Sequence, residues 1–433
     1  MDNKQFILSD LIDITFSTPS TFSHWFGYYN YSPLDSSGTR LLAHRIDFDA
    51  RLITSDDTAE LGWFNLNDAS WHSIGKTRAF NWQQGAMLQW LGYEEIVFND
   101  VMDNHFVSKI VKANGTDIRV IPWPVYGITP NGKMSISLQF ERSYWCRAYH
   151  YEAIRNPKWD VRIAEEDGIF QVDLENGDYK QIVFIKDILK LDYDPIFEKS
   201  KHWIEHIMIN PSGQRFAFYH RFDDGSGFKT RVLTANIDGT GIFLVPGWRD
   251  NGWSHMGWQD NNKYVIFGVK RVLAGKTYDV ITKNTGKLGK LLKNTYHRYV
   301  YPIMNKKTHS KMTSSGSYQL YSDQIGMIGG YSKGNLSNDG HPSFSLDGRY
   351  MLADTYADEN SYRHLFLFDT ASEKLFTLGS FFSPYNNCEY RSDLHPRFSL
   401  DNKYIIIDSA HSGKHQMLVF KVNWDLIIKS SKL

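Results

Sequence analysis

The chain has 433 residues, 42% of them hydrophobic and 15% aromatic, with 48 basic against 48 acidic side chains. That balance supplies no basic field for nucleic acid or anionic lipid, and two cysteines, Cys146 and Cys388, exclude a disulfide framework. No run is long and apolar enough for a membrane span, and the opening MDNKQFILSDLIDITFSTPS has no basic stretch followed by an apolar one, so a soluble, cytoplasmic protein is expected.

One pattern recurs along the chain: a short strand, a turn built on Gly, Asn or Asp, then a longer strand rich in β-branched and aromatic residues. The copies are YSPLDSSGTRLLAHR (31–45), AMLQWLGYEEIVFND (86–100), VYGITPNGKMSISLQF (125–140), HIMINPSGQRFAFYHR (206–221), HMGWQDNNKYVIFG (255–268), HPSFSLDGRYMLADT (341–355) and HPRFSLDNKYIIIDS (395–409). Their turn residues are Gly38, Tyr93, Gly132, Gly213, Asn262, Gly348 and Asn402, of which Tyr93 suits a tight turn least. A second strand pair follows, as in 168–184, 230–245 and 364–379. Four strands per repeat, seven times over, predict an all-β, seven-bladed β-propeller of antiparallel blades around a central channel, as one domain over 1–433. The innermost strands are expected near 31–34, 86–90, 125–129, 206–210, 255–259, 341–345 and 395–399. Insertions are expected near 186–206, with helical character, and near 286–338. A segment close to the N-terminus is the candidate to close the ring, in a register the sequence does not choose.

Seven positions before the turn residue stand His206, His255, His341 and His395, in four consecutive repeats. That position opens the innermost strand, so the four imidazoles converge on one funnel. Clustered imidazoles repel when charged and suit a shared divalent cation (manganese, zinc or calcium), with water, a carboxylate or Cys388 completing the shell. Two of them follow a carboxylate, in Asp339-Gly-His341-Pro and Asp393-Leu-His395-Pro, and such a carboxylate is either a ligand or an orienter. A His-Pro at a strand start is equally a structural device, its imidazole bonded to a neighbouring blade. The second strands also end at the funnel, bringing His44, Arg45, Asn99, Asp100, His220, Arg221, Asp354 and Asp408 to the rim. Arg45 and His105, with Tyr149 and Tyr151 from the stretch 141–155, are the candidate substrate contacts. The string Gly330-Tyr-Ser-Lys-Gly334 matches a nucleophile elbow but lacks the strand-to-helix setting that gives it meaning.

The paired DGHPSFSLDGRYMLADTY and DLHPRFSLDNKYIIIDSAH, with FAFYHRF and TRVLTANIDGTG, resemble oligogalacturonate lyase and its propeller relatives, the ulvan lyases more distantly. The resemblance is best over about 200–422. It implies a metal held by histidines at the positions of His255, His341 and His395, and a catalytic pair of His220 with Arg221 or Arg231. The family's His-Glu-Gly-Pro string is replaced here by His220-Arg221-Phe222-Asp223. The expected function is therefore cleavage of an acidic, uronate-containing oligosaccharide or polysaccharide by β-elimination, the charge on the substrate carboxylate being met by metal or arginine and the α-proton taken by a neutral base. A non-catalytic carbohydrate- or protein-binding propeller with a structural metal is the alternative. A glycoside hydrolase using two of Asp100, Asp354 and Asp408 is the third reading.

Overall fold

Seven antiparallel sheets take up the strands in chain order, each innermost strand facing the channel. The computed structural model describes residues 5–145, 150–271, 314–331, 334–386 and 388–431. Blade I runs from Ser23–Trp25 to Trp71–Thr77, blade II from Gln89–Leu91 to Arg119–Ile121, and blade III from Gly127–Ile128 to Tyr179–Phe184. Blade IV runs from Lys201–Ile209 to Phe243–Leu244 and blade V from Asn251–Trp258 to Gly326–Tyr331. Blade VI (Ser343–Phe344 to Lys374–Phe382) gains a fifth strand, Phe6–Leu8. Blade VII has only three strands of its own, Arg397–Phe398, Tyr404–Ser409 and Gln416–Val422, and Ile12–Ser17 completes it. The closing register is Ile12↔Val422 to Ile14↔Phe420, then a bulge, then Phe16↔Val419 and Ser17↔Leu418. The N-terminal segment thus closes the ring, covering an edge that would otherwise template pairing with another chain.

Blades pack face to face through alternating β-branched and aromatic residues, such as Val265 and Phe267 against Met351 and Phe368. Much of the aromatic content serves this packing: Trp25, Tyr126, Tyr219, Tyr264, Tyr318 and Tyr321 are all fully buried.

Five of the seven expected turn residues adopt positive φ: Gly38, Gly132, Gly213, Gly348 and Asn402. In blade II the positive φ falls on Gly92, beside Tyr93, since glycine has no Cβ to clash there. The innermost strand of blade I is Ser23–Trp25 rather than 31–34; the chain leaves the sheet after Trp25 and returns only as the bridge Leu34↔Leu41. The expected helical insertion is mostly not helix: one α-helical turn, Ile185–Ile188, and a 3-10 turn, Pro195–Lys199, precede the nine-residue strand Lys201–Ile209. The Asp194 side chain caps Ile196 N–H and Pro195 starts the 3-10 turn; Ser200, in extended conformation, then ends it. Of the second expected insertion, Ser314–Ser322 and Gly326–Tyr331 are the outer strands of blade V, and residues 286–313 lie outside the described residues. Among the described residues no helix is long and apolar enough to cross a membrane.

Candidate functional site

One device recurs at the funnel. The residue six positions past the turn, at the end of a blade's second strand, accepts a hydrogen bond from the backbone where the next blade's innermost strand begins. His44 Nε2 accepts from Ala86 N at 2.8 Å, Asn99 Oδ1 from Val125 N at 2.8 Å, and Asp354 Oδ2 from His395 N at 3.2 Å. Asp408 does the same across the ring closure, taking Phe26 N and Gly27 N at 3.1 Å each and Arg397 Nη2 at 2.9 Å. These polar ends are therefore blade couplers, satisfying N–H groups that the short inner strands leave open. Asp100 likewise accepts from Thr77 Oγ1, Arg78 N and Lys109 Nζ. The three carboxylates offered for glycoside hydrolysis are thus committed to neighbouring backbone and side-chain donors.

The coupling at Asp408 pulls residues 26–31 off blade I and across the channel. Gly27 is required at the bend: its φ is +124°, and a Cβ would stand 2.6 Å from the Gln84 carbonyl. Tyr28 and Tyr29 follow, both buried, their rings 4.5 Å apart. Tyr29 Oη donates to Met256 O at 2.7 Å, fastening the segment to blade V.

Against these rings lie the four histidines, all buried. Ring centroids are 4.1 Å apart for His255 and His341, 4.3 Å for His341 and His395, and 6.5 Å for His206 and His255. Tyr28 touches His206 and His395, and Tyr29 touches His255, His341 and His395. The backbone is forced into the left-handed region at His206 (φ 56°) and His395 (φ 44°), where non-glycine residues are uncommon, and blade IV carries a bulge between Glu205 and Met208. Each Nδ1 is tied to an acceptor: His255 to Asp339 Oδ1 at 2.9 Å, His341 to Asp354 Oδ1 at 2.9 Å, and His395 to Gly27 O at 2.8 Å. Nδ1 therefore carries the proton, and Nε2 keeps its lone pair. His395 Nε2 is buried with no hydrogen-bond partner. Burial lowers the pKa of His255 and His395, with the neighbouring His341 adding to it, and brings His206 down to about 4. One ligand atom from each of His341, Asp393 and His395 lies within 4.8 Å of the others, the tightest donor set among the described residues. Burial alone would raise Asp393, but Arg363 (2.6 Å) and Arg391 (2.9 Å) hold it far below the usual carboxylate range.

His220 and Arg231 lie elsewhere. They are cross-strand partners in blade IV, both fully buried, with Phe197 packed against them. His202 Nε2 bonds Phe197 O at 2.8 Å and so carries a proton; its Nδ1 must then accept from His220 Nε2 at 2.9 Å. That leaves His220 Nδ1 as acceptor, facing Arg231 Nη1 at 3.4 Å. Arg231 also donates to the carbonyls of Ile188 and Leu191, fastening the 185–199 insertion to the blade. Arg221 points to the opposite face, as strand alternation requires. There it pairs with buried Glu205, whose other oxygen lies 3.6 Å from His206 Nδ1. The expected catalytic set is therefore split, with Arg221 beside the histidine cluster and His220 and Arg231 behind it.

Of the substrate contacts read from sequence, Arg45 is bonded to Glu60 and stacked on Phe22 and Trp71 on the outer part of blade I. His105 is exposed at the second hairpin of blade II. Tyr151 is core, stacked on Phe140 at 4.8 Å and bonded to Asn99, and Tyr149 lies outside the described residues. Cys388 is half-buried and bonds Arg391 through its backbone oxygen rather than joining the tight donor set. Sequence reasoning missed Tyr28 and Tyr29, which precede the first repeat and carry no repeat signal. It also missed Tyr356, Arg363 and Arg391, although the hairpin after a second strand opens on the same face as the histidines. With Ala357, Asp358 and Asn386 they line an open cavity of about 380 Å³.

Fold and site together define a seven-bladed β-propeller with a histidine-and-carboxylate cluster in its channel. Two solved structures share that fold over nearly all of both chains. An oligogalacturonate lyase in complex with manganese superimposes at a TM-score of 0.60 with 14% identity, covering 96% of this chain and 97% of that one. Oligogalacturonate lyase from Vibrio parahaemolyticus follows at 0.58 and 13%, covering 96% of each. No family profile and no curated protein matches the sequence. The fold expected from the resemblance is thus the fold found, and at such identity the likeness speaks for architecture alone.

Proposed function

We propose that the protein is a lyase that cleaves uronate-containing oligosaccharides by β-elimination, with a divalent cation held by His341, His395 and Asp393. The observation that carries this reading is the orientation of the donors. Two imidazoles have their Nδ1–H bonded away, turning Nε2 inward, and an ionised carboxylate stands between them. Two nitrogens and an oxygen suit manganese or zinc, and calcium less well. When bound, such an ion would stabilise charge developing on the substrate carboxylate as the α-proton leaves.

The chain's own groups supply the rest. His255, neutral through burial and held at Nδ1 by Asp339, offers Nε2 to take the proton. Arg221 and His206 form the blade IV wall, with Glu205 fixing the guanidinium. Tyr28 and Tyr29 exclude water from the inner side of the cluster. In this reading His220 and Arg231 are scaffold, because the His220 Nε2–H is spent on His202.

Incubation with galacturonate, glucuronate and mixed uronate oligomers tests it, read by ultraviolet absorbance of the unsaturated product. Absorbance should rise with the wild type and fall by on the order of 10²-fold or more in His255→Ala, as for a lost base. No product from any acidic oligomer would overturn the reading. One observation favours a second: the cluster is buried beneath two tyrosines, as a structural ion in a carbohydrate- or protein-binding propeller would be. In that case chelation lowers thermal stability with no activity to lose.

A further inference from the structure

We infer that the cavity between Tyr356 and Arg391 is a binding subsite for the carboxylate of a sugar acid, and that Arg391 sets the preference for charged over neutral or esterified sugars. The inference rests on the lyase reading for the identity of the sugar, but the geometry stands by itself. The cavity is lined by Tyr356, Ala357, Asp358, Arg363, Asn386 and Arg391 and holds about 380 Å³, enough for one hexuronate ring.

Its floor is positively charged. Arg363 and Arg391 converge on a single carboxylate, that of Asp393: Arg363 Nη1 at 2.6 Å from Oδ1, and Arg391 Nε at 2.9 Å from Oδ2. Two guanidiniums against one carboxylate leave one positive charge in excess. Asp358, the carboxylate among the lining residues, is spent on its own loop, accepting from Asn360 N at 2.8 Å, Tyr362 N at 2.9 Å and His364 Nε2 at 3.1 Å. Arg363 is buried and further held by Ser383 Oγ at 3.1 Å, so it is a fixed charge rather than a waving surface arginine. Both guanidinium carbons lie under the Tyr356 ring, at 5.7 and 5.8 Å from its centroid. A planar, anchored guanidinium pair beside an amide and a half-exposed phenol is the donor chemistry that selects a carboxylate and the hydroxyls around it.

Position makes the pair more than a surface site. Asp393 is shared: it bonds both arginines on the cavity side and stands within 4.8 Å of the His341 and His395 donor atoms on the other. Tyr356 bridges the same gap, its ring 6.1 Å from both His255 and His341. A sugar seated in the cavity therefore lies next to the histidine cluster, with its carboxylate on the arginines and its ring toward Tyr356.

The test measures binding and turnover separately. Calorimetric titration of the purified protein with digalacturonate, with its methyl ester and with neutral digalactose should show binding of the first only. Arg391→Met should weaken digalacturonate binding at least about 30-fold, as for a buried charge partner removed, and Arg391→Lys should recover part of it. Unchanged thermal unfolding of Arg391→Met confirms that its fold is intact; should that variant unfold early, Asn386→Asp, which brings a negative charge into the cavity, must weaken the acid selectively. Equal affinity for acid and ester, or an Arg391→Met variant that binds and turns over uronate like the wild type, overturns the subsite and leaves the lyase reading standing. Acid-selective, Arg391-dependent binding with no unsaturated product from any oligomer upholds the subsite and removes the lyase reading.

Discussion

The molecule holds two buried histidine clusters, and only one of them has chemistry to offer. In the chain Arg231–His220–His202–Phe197 O, every ring nitrogen has a partner and every proton a place. In the channel, His255, His341 and His395 spend one nitrogen each on an outer acceptor and turn the other toward a shared space. Residue type and burial are the same in both places. The difference is whether hydrogen-bond valence closes within the cluster or is left pointing inward, and a site is recognised by the second condition.

The largest effect that sharpens this contrast should come from Asp408, which anchors the segment covering the open cluster. Asp408→Ala leaves Arg397 without its carboxylate and releases Phe26 N and Gly27 N, so it should cost about 3–5 kcal/mol by denaturant unfolding. It should also loosen His395, whose Nδ1 depends on Gly27 O. A loss below about 1 kcal/mol would mean that the tyrosine segment is held by something else.

The closed cluster makes the complementary case. His220→Ala strands a buried Arg231 and His202, so it should lower stability by about 2–3 kcal/mol while leaving ion content and any turnover near wild type. Lost turnover at full stability would reverse the roles given to the two clusters.

Acid should act on both through buried neutral imidazoles. Burial takes His44 down to about 3; burial, with Arg231 and Arg142 adding, takes His202 down to about 4, against about 6.5 in an unfolded chain. The unfolded state binds these protons first, so the stability they contribute is complete above about pH 6.5 and is lost as pH falls toward 4 and 3. Each adds a slope of about 1.4 kcal/mol per pH unit in that window. His44→Gln should flatten the profile by close to one proton, and an unchanged slope would show that His44 is already protonated in the fold.

Arg45 should give the smallest response. Its pair with Glu60 is partly exposed, so Arg45→Ala should shift stability by less than about 1 kcal/mol and leave sugar binding untouched. A large loss of binding would move the substrate path toward blade I.

The architecture was legible because its unit repeats: seven turns with strands at fixed offsets align to each other even where each is weak, and the four histidines appear once the offsets are matched. The same offsets misled at the second strand ends, where His220 and Arg221 seem equivalent to Asp354 and Asp408. In blade IV the residue at the coupling position is Tyr219, and strand alternation sends His220 to the other face. Tyr28 and Tyr29 were illegible because their placement depends on Asp408, about 380 residues away along the chain. The pairing of Asp339 with His255 rather than with its sequence neighbour His341 is equally non-local, since it joins adjacent blades.

Metal content is the most direct test of the contrast between open and closed clusters. Protein purified without a histidine tag should carry roughly one divalent ion per chain by elemental analysis, as three inward-facing donors suffice to hold one. The His341→Ala/His395→Ala double variant should carry none, and His202→Ala/His220→Ala should retain it. An ion-free wild type, or a channel double variant that keeps its ion, would contradict the assignment of the channel cluster as the site.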